Sequence, residues 1–275
     1  MRIPSSAPAA VAITAVLATA VTACGGAKDN MVRPNGCVIT TDDTTVELHT
    51  EQAEHAATIT AIGLQRDIGE QGIVVALATA RQESDLFNID YGDRDSLGLF
   101  QQRPSQGWGS PEEILDPRYA TTTFYEKLEK IDGWESMRIT EAAQAVQRSA
   151  FPEAYQKWED HSQAIAETFI GSTDVGVNCV IDKTEPDAEP VANLTEALVN
   201  DWGEETVHSQ ADRSLTIPTS DTQNGWQYAN WLVAHADNHN IARVVYGDVA
   251  WEAGSGEWEQ LDEPEARDLV KAVFD

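Results

Sequence analysis

Residues 72–84 read GIVVALATARQES, and residues 91–109 read YGDRDSLGLFQQRPSQGWG. Residues 72–81 are apolar on all sides of a helical wheel, which predicts a helix buried at the centre of its domain. Glu83 follows that run directly, and a glycine turn comes soon after it. A carboxyl held at the end of a buried helix loses hydration, which raises its pKa and favours the protonated form.

The flanking sequence is helical in the same sense. Residues 51–68 carry Ala56, Ala57, Ile59, Ile62 and Leu64 along one face. Asp116-Pro117 is a capping start for a helix to Leu128, and residues 140–149 and 152–169 predict two more. The strand-like piece is 37–48, which alternates around an Asp-Asp turn. Residues 194–275 differ: 215–217 and 242–246 predict strands, 225–238 an amphipathic helix, and Trp251 and Trp258 flank a Gly-Ser-Gly hairpin turn. The expected class is α+β, a mostly α-helical domain over 37–181 followed by a small α/β module over 194–275. The acidic, proline-bearing segment 182–193 is the expected linker.

The N-terminus predicts export. Arg2 precedes an apolar run ending in Val21-Thr22-Ala23-Cys24, so residues 1–23 fit a signal peptide. VTAC resembles a bacterial lipobox, which implies a lipid on Cys24 and residues 24–36 as a tether to the outer face of the cytoplasmic membrane. The alternative is an ordinary signal-peptide cut beside a free Cys24. In an oxidising compartment the remaining Cys37 and Cys179 are expected to form a disulfide. With 18 basic against 46 acidic side chains and a net charge of −28, the chain lacks the cations that phosphate backbones require, so nucleic acid is not an expected partner.

A protonated glutamate facing a cleft is suited to protonate the leaving oxygen of a glycosidic bond. Taken alone, a helix-terminal Glu is more often exposed to water. Glu83-Ser84 followed by Gly98-Leu99-Phe100-Gln101 resembles the lytic transglycosylase and goose-type lysozyme family, with Phe100 where Met is usual. The resemblance implies a lysozyme-like fold, Glu83 as catalytic acid and the glycine turn as a wall of the sugar cleft. It also implies substrate contacts from Ser84, Gly98, Gln101 and Gln102. The family's Ala-Tyr-Asn motif is matched by Ala145-Val146-Gln147, leaving Gln147 as a sugar contact and Tyr155 to stand in for the missing aromatic. Residues 37–180 as a whole resemble a group of actinobacterial exported proteins with a lysozyme-like domain. Trp108 suits either a sugar face or a place in the core.

Asp90, Asp93 and Asp95 are open to three readings: a second carboxylate, a loose Ca²⁺ cage without a complete loop motif, or amide caps shaping a polar loop. His235 and His239 have the i, i+4 spacing of helical metal ligands, but Ala236 follows the first, so a solvated pair is expected. The segment from His208 resembles zinc carboxypeptidase-like peptidoglycan domains with their other zinc ligands missing. No metal and no cofactor is expected. The expected activity is cleavage of peptidoglycan glycan strands at the N-acetylmuramoyl–N-acetylglucosamine link by a single glutamate. The alternatives are a catalytically inactive peptidoglycan-binding lipoprotein and an envelope scaffold.

Overall fold

The buried helix announced by residues 72–81 is the axis about which the other elements are arranged. In the computed structural model it is α2 (Gly69–Ser84), and Gly72 to Ala80 are all buried along it. The structure describes residues 35–182, 189–203, 206, 209–211 and 213–275. The signal peptide, Cys24, most of the tether, and His208 lie outside the described residues.

Strands β1 (Gly36–Thr40) and β2 (Thr45–His49) form the hairpin expected around the Asp42-Asp43 turn. Helix α1 (Thr50–Gln65) follows at once and packs against α2. After α2 come the short α3 (Pro111–Ile114), then α4 (Pro117–Leu128), α5 (Ile139–Gln147) and α6 (Glu159–Phe169). Asp116 caps α4 by accepting from the Arg118 amide, with Pro117 at its first position. The helix predicted over 152–169 starts only at Glu159, because 148–158 is an irregular run ending in a short 3₁₀ turn. Strand β3 (Val177–Val180) then returns to the free edge of β1, with Cys37 opposite Cys179. The disulfide between them closes a separation of 142 residues, worth about 5 kcal/mol if loop entropy is taken at face value.

The remaining elements are α7 (Pro190–Trp202), β4 (Ser209–Ala211), β5 (Ser214–Pro218), α8 (Thr222–Ala234), α9 (Ala236–His239), β6 (Ile241–Tyr246), β7 (Val249–Glu252), β8 (Trp258–Gln260) and β9 (Leu269–Phe274). The strands make one antiparallel sheet in the order β4-β5-β9-β6-β7-β8. Trp251 pairs with Trp258 across the expected hairpin. The class is therefore α+β. Helix α7 begins inside the expected linker, with Pro190 at its first turn, where a missing N–H costs nothing.

The two halves foreseen from the sequence share one compact unit over residues 32–275. Their seam is built around Asp201 of α7, whose side chain is inaccessible to solvent. It accepts from Arg118 Nε at 2.6 Å, from Thr58 Oγ1 at 2.9 Å and from Trp231 Nε1 at 2.9 Å. Burial pushes this carboxyl up, while the guanidinium and the two other donors pull it back. The expectation of a solvated His235–His239 pair fails here. α8 packs on α1 and α6, so His235 is fully buried, stacked on Trp231 at 3.8 Å between ring centroids, and His239 is buried beside it. Burial holds His235 well below the usual histidine range, in the neutral form.

Beside this seam, Glu51, Glu54, Asp237 and Asn238 line a cavity of about 430 Å³. Burial raises Glu54 from the ordinary 4.5 to about 7, although Asn238 Nδ2 donates to it at 3.0 Å. A carboxyl raised in the folded state lends stability that is whole below pH 4.5 and is lost as pH rises toward 7. Glu54→Gln keeps the acceptor for Asn238 without the charge. We expect it to be more stable than the parent above pH 7 by up to about 3 kcal/mol and equal to it near pH 4, in urea titrations across that range. Among the described residues, no helix is long and apolar enough to cross a membrane.

Candidate active site

Helix α2 is stopped just beyond Ser84. Asp85 and Leu86 both take the left-handed conformation, and the Asp85 amide closes on the Ala80 and Arg81 carbonyls. This leaves Glu83 in the last helical turn, at the negative end of the helix dipole, where a carboxylate is disfavoured. Glu83 is partly buried, and burial raises its pKa. Two groups oppose that rise: the Tyr155 hydroxyl, which donates to Oε1 at 2.7 Å, and the Gln147 amide. The result is a carboxyl biased toward its protonated form yet supplied with donors for its ionised one.

The glycine turn is anchored to this point through two of its carbonyls. Ser84 Oγ donates to Leu99 O at 2.7 Å, and Gln147 Nε2 donates to Phe100 O at 2.7 Å. The Gln101 side chain turns back on its own loop and donates to Gly98 O and to Tyr91 O, at 3.3 and 3.2 Å. Leu97 and Gln102 close the base with a pair of 2.9 Å backbone bonds. Gly98 sits at φ +74, and a Cβ there would come within 2.6 Å of the Ile114 carbonyl, so the turn is pressed against α3. Gly92 has the same function in the preceding loop, because a Cβ on it would overlap the Gln101 amide.

The structure therefore brings Glu83, Ser84, Gln101, Gln147 and Tyr155 together around one turn, but not all in the expected capacity. Ser84 is buried and clamps the turn to α2. Gln147 does the same from α5 while touching Glu83. Gln102 is 1% exposed and donates to Ala120 O at 2.8 Å, which makes it part of the interior and no lining of a cleft. Gly98 serves the packing on α3. Phe100 fills the core, stacked on Phe124 at 4.6 Å. Trp108 is buried with Lys127 Nζ over its ring, settling the choice left open by the sequence in favour of the core.

Asp95 accepts from Arg103 Nε and from the Ser105 amide, both at 2.8 Å, which holds it well below the usual carboxylate range. That makes it a loop clamp. Asp90 and Asp93 are exposed on the same loop. Among the described residues, no group of three His, Cys, Asp or Glu side chains has metal-binding geometry. The sequence reading missed the packing of Trp158 on the last turn of α2. There Trp158 Nε1 donates to Gln82 Oε1 at 3.1 Å, and the Arg81 guanidinium lies 5.1 Å from the Trp158 ring centre. The QES triplet carried that signal in Gln82. A second cavity, about 710 Å³, lies among Thr40, Asp42, Glu70 and Asp174, away from Glu83.

Comparison of the chain with protein-family models and with curated proteins finds no match.

Proposed function

We propose that this chain cleaves the glycan strands of peptidoglycan at the N-acetylmuramoyl–N-acetylglucosamine link, with Glu83 as its single acid–base group. We place it on the outer face of the cytoplasmic membrane, held by a lipid on Cys24. The observation that carries the reading is the partly buried Glu83 carboxyl, hydrogen-bonded by Tyr155 at the lip of a turn fixed by Ser84 and Gln147.

In the proposed reaction Glu83 gives its proton to the glycosidic oxygen as the bond to C1 breaks. The substrate's acetamido group supports the developing positive charge. The ionised Glu83, held by Tyr155 and Gln147, then takes the proton of the 6-hydroxyl as that oxygen closes on C1, giving an anhydro-sugar and restoring the acid. Attack by water at the same stage gives the hydrolytic product of a lysozyme. The sum of charges, −28, fits a protein that works on a neutral or peptide-bearing glycan and not on nucleic acid.

The test is clearing of purified sacculi by residues 25–275, with co-sedimentation on the same material. Clearing supports the enzyme. Sedimentation with the wall and no clearing by the intact chain supports the alternative, a peptidoglycan-binding lipoprotein. Absence of both leaves the envelope scaffold.

Tyr155→Phe gives a graded check. Loss of a hydrogen bond to a charged group costs about 1.5–3 kcal/mol, so turnover is expected to fall roughly 10- to 100-fold. The Tyr155 hydroxyl lowers the Glu83 pKa, so its removal raises it further. A general acid is active below its pKa, and the alkaline limb of kcat/KM therefore moves to higher pH in the variant. A limb that stays put or moves down would break the link between Tyr155 and the acid.

A further inference from the structure

The chain has eight Trp, six Tyr and six Phe; thirteen of these are buried and five more are partly buried. Two rings are openly exposed: Tyr91 at 69% and Phe151 at 74%. Singly exposed apolar side chains are common and need no explanation. These two, however, lie on the irregular segments that follow α2 and α5, the helices that carry Glu83 and Gln147.

Tyr91 lies on the loop that leaves α2 after Glu83, and its carbonyl is held by Gln101 of the glycine turn at 3.2 Å. Gly92, next to it, is the residue against which the Gln101 amide lies. Phe151 lies on the segment between α5 and α6. Its amide is held by Ser149 Oγ at 3.2 Å, and its carbonyl accepts from Ala154 at 3.1 Å. That same segment delivers Tyr155 to Glu83, with Ser149 also bonding the Tyr155 hydroxyl. Each backbone is thus held within its own loop, Tyr91 by Gln101 and Phe151 by Ser149 and Ala154, while its ring is left in water. Ordering a backbone around a ring that gains nothing from burial is what a binding platform requires.

Resting on the glycan-cleaving reading above, we infer that Tyr91 and Phe151 are stacking platforms for sugar rings of the strand that Glu83 cuts. A pyranose offers an apolar C–H face with hydroxyls at its rim, which matches a flat ring presented to solvent at the edge of a polar site. The Glu83 cluster itself is polar and supplies orientation, so the platforms provide the apolar share of the binding surface.

The experiment uses residues 25–275 carrying Glu83→Gln, so that ligand is not consumed, and a hexamer of N-acetylglucosamine as probe, read by calorimetry. Tyr91→Ala and Phe151→Ala are each expected to weaken binding about five- to tenfold, which is roughly 1 kcal/mol apiece. Tyr91→Phe should bind like the parent, because the ring face and not the hydroxyl carries the contact. Both residues are exposed, and unchanged melting temperatures will show that the fold is intact. Unaltered affinity in the two alanine variants, with sacculus cleavage by the Glu83-bearing chain preserved, overturns the platforms and leaves the glycan reading standing. Failure of the parent both to bind and to cleave overturns both together. Self-association that disappears in the alanine variants, with hexamer affinity unchanged, would make the two rings an interface between copies and reject the sugar role.

Discussion

Glu83→Gln is expected to reduce glycan cleavage at least a thousandfold while leaving binding within about threefold. Gln retains the shape of the side chain and an acceptor for the Tyr155 hydroxyl, so the turn held by Ser84 and Gln147 should be undisturbed. What it lacks is the transferable proton. The parent should show activity that is lost as pH rises through the Glu83 pKa, which burial has raised above the ordinary glutamate value. Any residual activity in the variant should not share that limb. Initial rates of release of soluble fragments from sacculi between pH 4 and 9 provide the measurement. Retention of more than about a tenth of the parent rate would remove Glu83 from the role of acid.

Asp201→Ala is expected to cost about 3–5 kcal/mol of stability. The change strands three groups at once. Arg118 loses its anion at 2.6 Å, and Thr58 and Trp231 lose an acceptor at 2.9 Å in a site closed to water. Against a total of about 5–15 kcal/mol for a folded domain, this is enough to unfold a marginal protein. Asp201→Asn keeps one acceptor and should cost less. Urea unfolding should show the midpoint fall in that order, with the slope unchanged. A loss below about 1 kcal/mol for the alanine variant would mean that the seam is held by apolar contact alone. The effect on catalysis should be indirect, because none of the Asp201 partners touches Glu83.

How much of this could be read beforehand depended on how local each feature is. The apolar run 72–81 predicts α2 because a helix apolar on all sides has to be surrounded. The Asp116-Pro117 start and the Trp251–Trp258 hairpin are also written in neighbouring residues. By contrast, β9 takes its place between β5 and β6 through pairings with strands far away in the chain, and nothing within LVKAVF states that position. Asp201 is one of 46 acidic side chains in the sequence, and only the fold brings Arg118, 83 residues away, onto it. His235 and His239 looked solvated because the helix was read without the partner it packs on.

The candidate site shows the same division. Glu83 and the GLFQ turn stand out in sequence, because an acid after a buried run and a glycine at positive φ have local causes. The direction in which Ser84, Gln102 and Gln147 point has none. Each was expected to meet sugar, and each bonds a backbone carbonyl of the fold. Tyr155 reaches Glu83 across 72 residues, through a segment whose irregular backbone the helical pattern of 152–169 concealed.

The most direct measurement is mass spectrometry of the fragments released from purified peptidoglycan by residues 25–275, with Glu83→Gln run in parallel. The expected result is a set of anhydro-muropeptides, each lighter by one water than the hydrolytic product, present with the parent and missing with the variant. Fragments released equally by both proteins, or no fragments from the parent despite intact folding, would contradict Glu83-dependent cleavage of the glycan strand.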